Sequence, residues 1–132
     1  MKLVVLVARI LLGLVFVVFG FNHIVPFIHG PMPGGDAGTL ITVMSAHKWF
    51  VFYGLVDVVA GLMLLAGRFV PLGLTLIAGM GVNILLFVMT LEPTASGLGM
   101  PLFLAVLELL LVYAYRDSFA GIFSAKAEPA VR

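Results

Sequence analysis

Residues 3–27 read LVVLVARILLGLVFVVFGFNHIVPF, with Arg9 as the single charged residue. A bilayer hydrocarbon core of about 30 Å needs roughly 20 apolar residues in a helix. Leu3 to Phe27 supplies them. Lys2 precedes the run as in a signal peptide, but the run is too long, Arg9 interrupts it and no small-residue cleavage site follows. It reads as a retained span. Three further apolar runs lie at about 49–66, 69–91 and 100–115.

The whole-chain arithmetic agrees. The 132 residues are 63% hydrophobic and 10% charged, whereas soluble chains carry roughly 45–50% apolar and about 25% charged residues. A soluble domain of this size leaves about a third of its surface in water. With a mean hydropathy of +1.26, the solvent of this chain is lipid. A net charge of +1 leaves no basic stripe for nucleic acid. The lack of cysteine excludes a disulfide framework, a thiol relay and iron–sulfur ligation. An electron carrier would have to be a bound organic molecule or a haem.

The linkers imply an all-α membrane protein, an antiparallel bundle of four transmembrane helices. Ala66-Gly67-Arg68 is a tight turn, and Pro71 and Pro101 suit helix starts. The linker from His29 to His47 opens on breakers, after which Asp36 can cap a short helix carrying Leu40, Ile41, Val43 and Met44. That helix is expected at the membrane surface or as a re-entrant segment in the first loop. Residues 1–123 form the membrane domain and 124–132 a flexible tail. Lys2, Arg68, Arg116, Lys126 and Arg132 fall on one side and Lys48 on the other. That bias predicts cytoplasmic N- and C-termini.

Charges inside spans cost roughly 2.5–3.5 kcal/mol each on insertion scales. Arg9, Asp57 and Glu108 remain there, with Asn22, His23 and Asn83 as neutral companions in the outer half. At 1.5 Å per residue, Arg9 lies about 9 Å, and Asp57 and Glu108 roughly 12–14 Å, above the inner ends of their spans. An Arg9–Glu108 or Arg9–Asp57 pair is therefore feasible. Two readings stand. One is a structural ion-pair network that sets helix register. In the other, two carboxylates beside one cation cannot both ionise cheaply, so Glu108 or Asp57 carries a proton to a quinone-like ligand, with Arg9 as charge partner.

His23, His29 and His47 cluster near the outer end of the first two spans, and His23 and His47, with Asn22 and Asn83, are candidate ligand-binding groups. Two histidines from facing helices could ligate haem, yet there is no CxxCH and no metal-ligand spacing. Gly13 and Gly20 in the first span, and Gly54 and Gly61 in the second, repeat at intervals of seven, and Gly73, Gly79 and Gly81 lie in the third. Small residues at such intervals allow close helix approach, within the bundle or in a homo-oligomer. Arg9 with Leu12-Gly13-Leu14, and Arg68 with Leu72-Gly73-Leu74, hint at two parallel hairpin repeats.

Several of these stretches resemble the DoxX family of small four-helix membrane proteins across about residues 5–123. They are Arg9-Ile-Leu-Leu-Gly13-Leu-Val-Phe16 with Phe19-Gly-Phe-Asn-His23, Val56-Asp57-Val-Val-Ala-Gly61, Arg68-Phe-Val-Pro71-Leu, Val82-Asn83-Ile, and Glu108 through Tyr115-Arg116-Asp117. The resemblance implies a bundle in a bacterial inner membrane. It also implies association with quinone-linked oxidoreductase complexes, after the thiosulfate:quinone oxidoreductase subunit that gave the family its name. This chain departs from the family in having Asp57 where Glu is usual, and Val88 where many relatives carry His.

Three functions follow as expectations. The first is a membrane subunit or accessory of an oxidoreductase system, binding quinone or lipid between helices and meeting a redox partner protein that brings the redox centre. The second is a non-enzymatic bundle that binds lipid or another hydrophobic ligand, or scaffolds a partner. The third is a small oligomeric transporter.

Overall fold

The computed structural model of the protein describes residues 1–28, 30, 32–92 and 95–130; His29 and Arg132 therefore lie outside the described residues. The first span becomes α1 (Lys2–Ile24). It stops three residues before the expected Phe27, because Val25 precedes Pro26. A proline ring disfavours the α conformation of the residue before it, and Val25 is extended at φ −125°, ψ 96°. The Asn22 side chain then accepts the N–H groups of Phe27 and Ile28 at 2.9 and 2.8 Å, fixing the chain as it leaves the helix.

The first loop contains α2 (Gly35–Ala46). Gly34, not Asp36, is its N-cap, because Gly35 turns the chain in at φ 62°, a conformation that favours glycine. Asp36 falls instead in the first turn, where its charge suits the helix dipole. Next come α3 (Trp49–Ala66) and α4 (Val70–Leu91), joined by a turn in which Gly67 is left-handed at φ 71°. The last long helix, α5 (Ala95–Ala114), begins about five residues earlier than expected and holds Pro101 in its interior. Membrane-embedded helices tolerate proline and glycine, so Gly97, Gly99 and Pro101 do not break it. A 3₁₀ turn, Arg116–Phe119, follows, and Phe119 is buried against the core.

Four of these helices, α1, α3, α4 and α5, are long and apolar enough to cross a membrane. Large apolar side chains such as Phe52, Val82 and Leu109 cover their outer faces, as lipid contact requires. No strand occurs among the described residues. The protein is an integral membrane protein built as a four-helix bundle, in which α1 packs on α3 and α5, and α4 on α3 and α5. The fifth helix, α2, lies against α3 and α4 at the end opposite the N-terminus of α1.

Glycine sets the closest interface. A Cβ placed on Gly61 would stand 2.7 Å from the Gly13 carbonyl oxygen, and one on Gly54 would run into the carbonyl oxygen of Gly20. The two intervals of seven are thus one antiparallel seam between α1 and α3. Gly73 packs on Leu64 and Ala60, but Gly79 and Gly81 face open space. The suggested repeat of hairpins is therefore not matched in packing by α4, whose Gly79 and Gly81 make no counterpart to the α1–α3 seam.

Around the Gly13–Gly61 end of the seam the bundle is filled. Leu12, Leu64, Leu74 and Leu111, one from each spanning helix, are fully buried in one contiguous cluster. Burying a leucine side chain contributes about 1.5–3 kcal/mol where water is the alternative. Between lipid-soluble helices the gain is close packing and the absence of voids.

Candidate functional site

The half of the bundle away from the N-terminus of α1 is not filled. Phe50, Tyr53 and Asp57 follow one another along the inward face of α3 at helical spacing, and above the leucines the helices part around a cavity of about 870 Å³. Leu40, Ile41 and Met44 of α2 form its cover. Phe16, Met80 and Leu104 line it toward the leucine layer. The walls are overwhelmingly apolar, and the polar side chains that reach them include His23, His47, Tyr53, Asp57 and Asn83.

Two of these form a pair. His23 Nδ1 stands 3.4 Å from Asp57 Oδ2, across the α1–α3 seam. Asp57 is 3% exposed, and its Oδ1 has no hydrogen-bond partner among the described residues. The glycine seam holds the acid in place, because a Cβ on Gly20 would stand 2.7 Å from the Asp57 Cβ. The His23 ring stacks on Phe50 with centroids 5.4 Å apart, and Phe50 and Trp49 pack edge-on against Tyr53. The result is a rigid aromatic wall beside an acid–imidazole pair. Such a pair can hold or pass a proton at the edge of an apolar space, and can hydrogen-bond a polar head entering it.

The expected cluster of Arg9, Asp57 and Glu108 does not form. Arg9 makes no ion pair with either acid among the described residues. Instead its Nη1 donates to the Tyr115 hydroxyl at 3.4 Å, and its guanidinium lies over the end of α3, where a Cβ on Gly67 would be 3.0 Å from Nη1. The reason is the register of the seam. α1 extends beyond the inner end of α3, so Arg9 is level with the Gly67 turn and not with the middle of the bundle. Along the axis it lies about 12 Å below Asp57. A cation beside the carbonyls at a helix C-terminus is favourable by about 0.3–1 kcal/mol.

Glu108 is 8% exposed, and neither carboxylate oxygen has a hydrogen-bond partner among the described residues. It lies one turn from Leu104 of the cavity wall and one from Leu111 of the leucine layer, and it does not line the cavity. Asn22 serves the exit of α1 and does not line the cavity either. Asn83 does line it, while donating Nδ2 to the Gly79 carbonyl at 3.2 Å. His47 lies at its rim, at the C-terminus of α2. No group of three or more His, Cys, Asp or Glu residues is close enough to hold a metal among the described residues.

Sequence reading missed the partnership of His23 with Asp57 and the part played by Tyr53 and Phe50. The signal was present in the glycines. Pairing Gly13 with Gly61 and Gly20 with Gly54 puts His23 one turn above Gly20 and Asp57 one turn below it, and because side chains lean toward the N-terminus of their own helix, the two lean toward each other across this antiparallel pair.

Fold and site together define a multi-pass helical membrane protein with a half-open apolar cavity and, in its wall, a buried acid beside a part-exposed imidazole. Comparison of the chain with protein-family models, with curated proteins and with solved structures finds no match in any of the three.

Proposed function

We propose that the outer cavity binds a quinone, and that the chain is a DoxX-like membrane subunit or accessory of a quinone-linked oxidoreductase system. The observation that carries this reading is the pairing of the buried Asp57 with His23 in the wall of an apolar cavity of about 870 Å³. Ligand pockets are mostly apolar, with a few placed polar groups that fix orientation. A quinone has that character, an apolar tail with two carbonyl oxygens on a flat ring.

Reducing a quinone to its quinol takes two electrons and two protons. The His23–Asp57 pair serves the proton side. The imidazole beside Asp57 would serve a ring oxygen, and the aromatic wall of Phe50 and Tyr53 would receive the ring. Electrons come from a partner subunit with its own redox centre. The charge bias of the loops supports cytoplasmic termini, and with them a cavity in the half of the membrane away from the cytoplasm.

The test is native mass spectrometry of the detergent-purified protein, with solvent extraction of bound quinone and lipid. Co-purified quinone, reduced about tenfold in Asp57→Asn, is the expected result; a tenfold loss corresponds to about 1.4 kcal/mol, within the range for a hydrogen bond to a charged group. Phospholipid alone would instead identify a lipid-binding or scaffolding bundle. Neither ligand, together with proton flux in liposomes, would identify a small oligomeric transporter.

A further inference from the structure

A second hollow lies at the opposite end of the bundle, away from the cavity. It is a groove of about 460 Å³ between the start of α1 and the end of α5, and Lys2, Arg9 and Arg116 reach it. No acidic residue lines it among the described residues; Asp117 follows Arg116 in the chain but is not part of its wall. Three cations therefore share a small space that the protein does not neutralise.

Two of them are held in position. Arg116 lies 4.4 Å from the centroid of the Tyr113 ring and donates Nη1 to the Tyr113 carbonyl at 2.9 Å. Arg9 donates to the Tyr115 hydroxyl, and its Nε is buried without a hydrogen-bond partner among the described residues. Between Lys2 and Arg9 the groove wall is apolar, with Val5 and Leu6. Leu6 is exposed on the outer face of a spanning helix. The cations thus flank a short apolar strip that is continuous with the lipid-facing surface, beside tyrosines of the interfacial kind.

We propose that this groove binds the headgroup of an anionic phospholipid, with Lys2, Arg9 and Arg116 around its phosphate and an acyl chain along Val5 and Leu6. Charge decides between lipids. A zwitterionic headgroup would bring its own cation against three others, whereas an anionic one adds none. The apolar wall decides against a free anion, which would leave Val5 and Leu6 without a role.

The test is native mass spectrometry of the delipidated full chain given equal concentrations of phosphatidylglycerol and phosphatidylcholine, alongside thermal unfolding with each lipid or with inorganic phosphate. Phosphatidylglycerol is expected to be retained about tenfold over phosphatidylcholine, since each basic residue near a membrane surface contributes several-fold in affinity. Lys2→Gln and Arg116→Gln change exposed side chains outside the packed core. Each is expected to lower that retention about fivefold, with the lipid-free melting temperature unchanged, and the double variant to remove the preference. Equal retention of the two lipids overturns the proposal, as does a preference that survives in the double variant. Protection by inorganic phosphate equal to that by phosphatidylglycerol overturns it too. None of these outcomes bears on quinone in the outer cavity, because the two hollows share no wall residue.

Discussion

The half of this bundle that holds the N-terminus and the half that holds α2 use the same four helices for opposite ends. In the first each helix contributes one fully buried leucine, and the interior is filled by Leu12, Leu64, Leu74 and Leu111. In the second the helices surround a cavity, and the side chains on the same inward faces become His23, Tyr53, Asp57 and Leu104. The α1–α3 seam runs through both halves and joins them, with Gly13–Gly61 beside the leucines and Gly20–Gly54 beside the acid–imidazole pair. The comparison teaches that stability and binding are separated along the membrane normal, with the packed half fixing the geometry that the open half uses.

The strongest way to break that arrangement is to part the seam. Gly54→Leu puts a side chain into the Gly20 backbone, where neither carbonyl can move, and overpacking of this kind costs about 3 kcal/mol or more. Size-exclusion chromatography is expected to show aggregated protein or none. A comparable loss confined to the packed half is expected from Leu64→Ala. Truncating a fully buried leucine costs about 2–5 kcal/mol, read as a lower melting temperature in detergent with quinone still retained by the folded fraction.

Ligand measurements sharpen the contrast. Asp57→Asn is expected to reduce quinone retention about tenfold, while Glu108→Gln leaves it unchanged, because Glu108 does not line the cavity. Equal losses in the two variants would rejoin the acids that the structure separates. The smallest effect is expected at Gly79→Ala and Gly81→Ala. An added Cβ meets nothing within 4 Å at either position, and alanine is better in a helix interior by about 0.5–1 kcal/mol. A slightly raised melting temperature, with unchanged retention, is the outcome to look for.

Most of the fold was legible because lipid makes composition decisive. Each span is a long apolar run, and α3 begins at Trp49 and ends at Ala66, as read from the sequence. The errors lie where local signals compete with the membrane. Pro101 reads as a helix start in water but is carried inside α5, and Pro26 ends α1 before Phe27 despite an unbroken apolar run. The site was legible only in its parts. Asp57, His23, Asn83 and His47 all reach the cavity, but their grouping depends on how far one helix slides past another. Heights counted from each span's own end assumed flush ends, which put Arg9 only about 3–5 Å below the acids, within reach of its side chain. The glycine register displaces it to the Gly67 turn and gives Asp57 to His23. Glu108 is an exception of another kind. The sequence marked it as buried and costly, it is buried, and no described side chain bonds to it.

The most direct test of a quinone site in the outer half is photo-crosslinking with an azidoquinone in reconstituted vesicles, followed by peptide mapping. The account predicts label on the segment holding Trp49, Phe50 and Tyr53, and on α2 around Ile41 and Met44, with labelling suppressed by excess unlabelled quinone and reduced in Asp57→Asn. Label distributed over the lipid-facing residues of all four helices, indifferent to competitor and to Asp57→Asn, would contradict it.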